Sequence, residues 1–349
     1  MHSASIETSN LNVLGRRTTA KVSLDYAKEL ALVTAMISEP LARVESLIQF
    51  HLSSRHEEVS RLLQYVAGLG GKRLRPALAL LSAQALNGIS EETVRLATVV
   101  ELVHTATLVH DDVIDNADLR RHRPTLHRLS NIHSSILVGD WLFTQAYALA
   151  NEGESTTPGR WVANAAKEVC EGEIRQHIMI GNTSLTRAEY LSILGEKTGS
   201  LCGISCQLGA WSAGGDVQQC KAFHDFGRML GTAFQVHDDW LDYWGEGQRL
   251  GKIVGSDFAT GKITLPMIRL LEIASKSERK VILDCLQERN LSAFDRIKEM
   301  FEKHQIGEFT RDVARQLCNQ AIHCLNSACP STSRNCLERL AISAVERNA

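Results

Sequence analysis

The sequence has no apolar run long enough to span a bilayer, which removes helical membrane proteins from consideration. Only 6 of its 349 residues are proline and 5% are aromatic, too few turn and strand formers for an all-β chain of this size. Charge of one sign is also lacking. With 38 Lys and Arg against 40 Asp and Glu, the formal net charge is −2, which excludes a nucleic-acid binder working through a global basic field. Any anionic partner must then be held by local clusters. The nine cysteines lie singly from position 170 onward, with no CxxC pair and no His/Cys zinc spacing. Cys202 and Cys206 share a helix face, but two thiols alone make a poor metal site. The cysteines read as small buried apolar residues of a reducing compartment.

What is present is ordinary globular composition, 44% hydrophobic and 22% charged, with length enough to bury a large core. Residues 1–22 lack the apolar core of a secretory signal. They are rich in Ser and Thr, with Arg16, Arg17 and Lys21, a faint likeness to an organellar transit peptide that Glu7 and the missing amphipathic repeat oppose. The expectation is a flexible tail at 1–22, one all-helical domain at 23–349 and a cytoplasmic location, with organellar import left open.

Apolar residues recur at three- and four-residue steps almost throughout, as at Leu30, Val33, Ile37, Leu41, Val44 and Ile48. Helices are predicted over 24–52, 58–67, 76–87, 91–115, 134–151, 160–180, 187–213, 217–244 and 265–289, with more to about 346. Pro76 marks a helix start, Thr186 with Glu189 forms a capping box, and Ser90 precedes Glu91 and Glu92. No long period-two alternation and no solenoid repeat occurs. The fold class is all-α: a single large helical bundle. The helix at 91–115 is apolar on most sides, which places it at the bundle's centre.

That helix ends in Asp111-Asp112-Val113-Ile114-Asp115, and Asp238-Asp239-Trp240-Leu241-Asp242 repeats the arrangement on a second long helix. Asp111 and Asp115 share a face, where like charges repel and oppose the helix dipole. Such placements call for a compensating cation, and oxygen-only ligands in clusters suit Mg²⁺, whose coordination is completed by water and substrate phosphates. The basic counterpart is Gly70-Gly71-Lys72-Arg73-Leu74-Arg75-Pro76, whose cations crowd a helix N-terminus and imply a bound anion. Arg120 and Arg121 follow the first acidic cluster; Lys252 and Lys262 follow the second. Two acidic and two basic groups suit a site for Mg²⁺ and two polyphosphates.

These motifs occur in an order, from about residue 65 to 270, that closely resembles the trans-polyprenyl diphosphate synthases. The resemblance also covers His104 through Asp115, Gly139-Asp140, Glu171-Gly172-Glu173 with Gln176, Lys197-Thr198, Phe234-Gln235, Gly251-Lys252, Gly255-Ser256-Asp257 and Gly261-Lys262-Ile263-Thr264-Leu265-Pro266. It is nearest to medium- and long-chain members such as octaprenyl and solanesyl diphosphate synthases. Arg347 resembles a C-terminal basic residue of some members. His122 departs from the Gly usual after the arginine pair.

The resemblance implies that Asp111 and Asp115 bind two Mg²⁺ on one side of an allylic diphosphate and Asp238 a third on the other. Asp112, Asp239 and Asp242 would assist through water. Arg120, Lys197, Lys252 and Lys262 would neutralise the allylic diphosphate, with Thr198 and Gln235 lining the reacting centre. Gly71, Lys72, Arg75, His104 and Arg121 would hold isopentenyl diphosphate, while Arg73 points elsewhere. The resemblance also implies a bundle around a central apolar cavity, and an Mg²⁺-dependent head-to-tail condensation in a site that excludes water. Thr107 and Ala106, about one helical turn before Asp111, are small, and Val103 continues that open floor; products of about thirty to fifty carbons follow. A shorter-chain farnesyl or geranylgeranyl diphosphate synthase and a non-catalytic subunit of a heteromeric synthase are the alternatives. A terpene cyclase would lack the Gly70–Pro76 motif, and a His–Asp phosphohydrolase would need further histidine ligands beside His110 and His237. A homodimer with peripheral membrane contact at product release is the family expectation.

Overall fold

The computed structural model describes residues 26–245 and 255–347. The tail expected at 1–22 and the expected ligand Lys252 lie outside the described residues. The rest is helical but for one minimal hairpin. In chain order the helices are α1 (Tyr26–Met36), α2 (Ser38–His51), α3 (Glu57–Gly68), α4 (Leu74–Gln84), α5 (Glu91–Ile114), α6 (Leu126–Leu129), α7 (Ile132–Ala150), α8 (Thr157–Ile178) and α9 (Arg187–Leu194). They continue as α10 (Ser200–Ser212), α11 (Val217–Trp244), α12 (Ser256–Thr260), α13 (Leu265–Ile273), α14 (Lys276–Glu288), α15 (Leu291–Lys303), α16 (Ile306–Cys324) and α17 (Thr332–Glu346).

Helix α5 is the axis. Leu96, Ala97, Val99, Val100, Val103 and Ala106 have no exposed surface, because α4, α7 and α10 pack around it. Ser90 caps it reciprocally with Thr93, and Asp216 with Gln219 does the same for α11, which lies between α10 and α16. The two acidic motifs therefore end two long, well-started helices that meet at the same end of the bundle.

Several boundaries differ from the periodicity reading, each for a local reason. The span 24–52 breaks at Ile37, because Pro40 lacks the N–H that would bond back to Met36. Helix α4 begins at Leu74, two residues before Pro76, after a left-handed Arg73. The span 265–289 divides at Ser275, whose reciprocal cap with Glu278 starts a new helix. Within 187–213 the chain widens into a π-turn at Gly195–Gly199 between α9 and α10.

The hairpin pairs β1 (Leu119–Arg120) with β2 (Arg123–Pro124), so Arg121 and His122 are its two turn residues. Both have positive φ, 52° and 63°, as a two-residue turn of the primed type requires. That explains the departure at His122: glycine takes this conformation without steric cost, whereas histidine takes it at about 1 kcal/mol.

Close approach of helices sets the tightest sequence constraint. At Gly209 of α10 a Cβ would run into the carbonyl oxygen of Ala79 on α4. Backbone cannot yield as a side chain does, so Gly209→Ala is expected to cost about 1–3 kcal/mol, read as a lower urea midpoint with unchanged m-value.

Candidate active site

The acidic ends of α5 and α11 open onto one cavity of about 630 Å³. Asp111, Asp238, Asp239 and Asp242 line it, with Lys197, Lys262, Arg75, His104, Arg120, Arg121, Thr198 and Gln235. A second chamber of about 200 Å³ adjoins it, sharing Arg75, His104, Arg121, Thr198 and Phe234, and adding Gly71 and Lys72. The expected central apolar cavity is therefore divided. The larger space has polar walls, while the smaller is walled by Tyr26, Cys202, Leu230, Phe234, Leu340 and Ala344.

The first acidic cluster separates into three environments. Asp112 is buried and binds Arg120 through both carboxylate oxygens, at 2.8 and 2.9 Å from Nε. Asp115 is exposed at the C-terminal cap of α5. Asp111 faces the cavity. Burial, then the nearby Glu173, pushes its carboxyl up to about 6, against the pull of Lys197.

In the second cluster Asp239 is buried and accepts from Tyr190 Oη at 2.6 Å and Gln235 Nε2 at 3.0 Å. Burial raises its carboxyl to about 6 as well. Asp242 accepts from Ser256 Oγ at 2.6 Å and from the Ser256 and Asp257 amides, anchoring α12 to the end of α11. Asp238 pairs with the guanidinium of Arg347, which lies 3.9 Å over the Phe234 ring. The Arg347 carbonyl in turn accepts from His237 Nε2 at 2.8 Å, and burial holds that imidazole neutral, at about 4.

The π-turn presents Lys197 and Thr198. Lys197 Nζ reaches Glu173 at 2.5 Å and Gln176 at 2.8 Å on α8. The approach needs Gly172, where a Cβ would stand 2.5 Å from the Lys197 amide nitrogen. Thr198 Oγ1 donates to Gln235 Oε1 at 3.3 Å.

Cations crowd the other wall. Arg73 turns away to Glu45 and Glu101, as its place beside Arg75 predicted. His104 is held well below its usual range by burial and by the Arg75 and Arg121 charges, so it is neutral. Burial, then Arg347, lowers Lys72, and burial, then Arg120, lowers Arg121. An anion bound among these cations would offset both the burial and the mutual repulsion.

The structure thus brings Asp111, Asp238, Lys197, Thr198, Gln235, Arg75, His104, Arg120, Arg121 and Lys262 into one cavity, with Gly71 and Lys72 next door. It does not bring Asp112 or Asp115 to the cavity lining. Of the expected floor, Thr107 lines the cavity beside Leu108, whereas Ala106 and Val103 are sealed in the core. Sequence reasoning missed Tyr26, Tyr190 and the pairing of Arg347. Their partners are 49 to 208 positions away, and no local spacing signals them.

The cluster tests well as a divalent-cation site. Its donors are oxygens, and the carboxyl of Asp111 is raised by burial and then by the negative charge of Glu173, both of which a cation would offset. Among the described residues no three His, Cys, Asp or Glu side chains form a metal site by themselves. A cation here would draw its remaining ligands from water and substrate, as Mg²⁺ does.

Residues 56–304 match the family model described as polyprenyl synthetase. The chain is 33% identical to the octaprenyl diphosphate synthase of Haemophilus influenzae, across 94% of this chain and 98% of that protein. It is 34% identical to the short chain isoprenyl diphosphate synthase of Methanothermobacter thermautotrophicus, across 83% and 91%. The polyprenyl synthase of Caulobacter crescentus CB15, solved in complex with calcium and isoprenyl diphosphate, superposes with a TM-score of 0.85 at 34% identity, across 92% and 98%. The chain belongs to the polyprenyl synthetase family. It is a prenyltransferase with the all-helical fold of that family.

The raised carboxyls have a measurable consequence. Asp111 holds its proton in the folded state up to about pH 6, where the unfolded chain has already released it. Stability therefore falls as pH rises from about 4 through 6, and above that window the ionised carboxylate is a cost. Asp111→Asn should raise unfolding free energy near pH 8 by on the order of 1–2 kcal/mol in metal-free protein and change little near pH 4. Equal effects at both pH values would refute this account of the charge.

Proposed function

We propose that this chain condenses isopentenyl diphosphate with an allylic prenyl diphosphate head-to-tail, giving an all-trans polyprenyl diphosphate of about thirty to fifty carbons. The observation that carries the reading is the sorting of charge in the site. Carboxylates of α5 and α11 share one cavity with Lys197 and Lys262, and the wall where it meets the smaller chamber carries Arg75 and Arg121 around a neutral His104, with Lys72 in that chamber. The first set suits a diphosphate carried with divalent metal; the second suits a diphosphate bound without it. The Caulobacter relative was solved with calcium and isoprenyl diphosphate, a divalent cation and a diphosphate.

Asp111, Asp115 and Asp238 would hold Mg²⁺, three ions in all as in the family pattern, with Asp112 and Asp242 assisting through water. When bound, the metal neutralises the departing diphosphate. Lys197, Lys262 and Arg120, with Lys252 from outside the described residues, add positive charge to that group. Thr198 and Gln235 line the reacting centre, where the oxygen ends of their dipoles can face an allylic cation. Gly71, Lys72, Arg75, His104 and Arg121 orient isopentenyl diphosphate so that its double bond meets that cation. The proton then lost passes to the released diphosphate. Leu108, Val169, Phe234 and Leu241 keep water from the cation.

Thr107 leaves space beside Asp111, while Ala106 and Val103 meet a growing chain only if the helices around α5 part. A shorter product is the second reading, favoured by the apolar end of the cavity at Thr107, Leu108 and Val169. We also propose a homodimer. Ile132, Ile136 and Leu137 on α7 and Ile174 and Ile178 on α8 are 42–68% exposed on two helices that pack together. Such an apolar face suits a second copy. No helix among the described residues is long and apolar enough to cross a membrane; a cytoplasmic enzyme touching the membrane only at product release fits that.

The test is incubation with Mg²⁺, labelled isopentenyl diphosphate and farnesyl or geranylgeranyl diphosphate, with products resolved by length. A ladder ending at about thirty carbons or beyond is expected. Termination at about fifteen or twenty would keep the chemistry and overturn the chain length. No incorporation would overturn the assignment of activity to this chain alone.

A further inference from the structure

The amide of Gln235 has two ends, and only one is suited to a centre where positive charge develops. Its Nε2 donates to Asp239 Oδ1 at 3.0 Å, leaving Oε1 to meet Thr198 Oγ1 at 3.3 Å. The other oxygen of Asp239 accepts from Tyr190 Oη at 2.6 Å. Tyr190 and Asp239 are 4% and 7% exposed. Tyr190 lies on α9 and does not line the cavity, whereas Asp239 and Gln235, on α11, do. A primary amide released from Asp239 can rotate by half a turn and present its N–H groups to the cavity instead. Such a flip would oppose the charge it should stabilise.

We infer that Tyr190 is a positioning residue: through Asp239 it fixes the carboxamide of Gln235 with its oxygen toward the reacting centre. The inference rests on the function proposed above. It also assigns Asp239 a task different from those of Asp238 and Asp242, since both its oxygens serve this chain of hydrogen bonds. Burial and the Asp239 charge hold the Tyr190 hydroxyl well above its usual range, so it remains a donor. The chain Tyr190–Asp239–Gln235–Thr198 links α9, α11 and the π-turn.

The test is steady-state kinetics with isopentenyl and farnesyl diphosphates, together with thermal unfolding. Tyr190→Phe should lower kcat about tenfold while both KM values stay within about twofold. In a Gln235→Leu background the same substitution should have no further effect, because the group being oriented is gone. Asp239→Asn, whose single amide oxygen cannot accept from both Tyr190 and Gln235 as the two carboxylate oxygens do, should also lower kcat with KM little changed, and it serves should Tyr190→Phe fail to fold. Wild-type kcat in Tyr190→Phe, or a loss that multiplies independently with Gln235→Leu, would overturn the inference. Inactivity of the unsubstituted protein would instead overturn the function beneath it.

Discussion

Like charges held out of water at the ends of apolar helices are the constraint on which this structure turns. Asp111 is buried enough that its carboxyl rises to about 6, with Glu173 adding to the penalty. A chain selected for stability alone would not keep a carboxylate there. Across the site the basic groups suffer the opposite strain: burial, then the Arg75 and Arg121 charges, hold His104 neutral, and burial with neighbouring positive charge lowers Lys72 and Arg121. In the function proposed above, a metal–diphosphate ligand would relieve the first strain and a bare diphosphate the second.

The remaining charges show how the fold limits that cost. Asp112 is satisfied by Arg120, Asp239 by Tyr190 and Gln235, and Asp242 by the start of α12. Arg347 covers Asp238 while stacking on Phe234, so a resident cation stands beside one of the carboxylates proposed to receive metal. Two motifs with the same spelling therefore distribute their aspartates differently. In the first the middle residue pairs with a cation; in the second it orients a neutral side chain.

Much of this was legible in the sequence. Helical periodicity, the caps at Ser90 and Thr186 and the burial of α5 follow from spacing, while the meeting of both acidic motifs in one site was implied by the paired acidic and basic clusters and by the family resemblance. The direction of Arg73 followed from the impossibility of three adjacent side chains converging. What was not legible depends on contacts distant in the chain. The break at Ile37 was marked by Pro40, but the π-turn that delivers Lys197 depends on Gly172 of another helix. Tyr190 and Arg347 carry no local signal. Polar walls on the larger cavity were implied by the charged motifs, yet the family resemblance implied an apolar one. Ala106 and Thr107 are adjacent and similarly small, and only the rotation of α5 shows that Thr107 alone faces the cavity.

The central claim is that neither charged half is complete without its ligand. Calorimetric titration of purified protein with Mg²⁺, with and without inorganic diphosphate, tests it directly. The account predicts weak Mg²⁺ binding alone and binding tightened at least tenfold by diphosphate, with the reciprocal effect of Mg²⁺ on diphosphate. Tight Mg²⁺ binding without diphosphate, or affinities for the two that are independent, would contradict it.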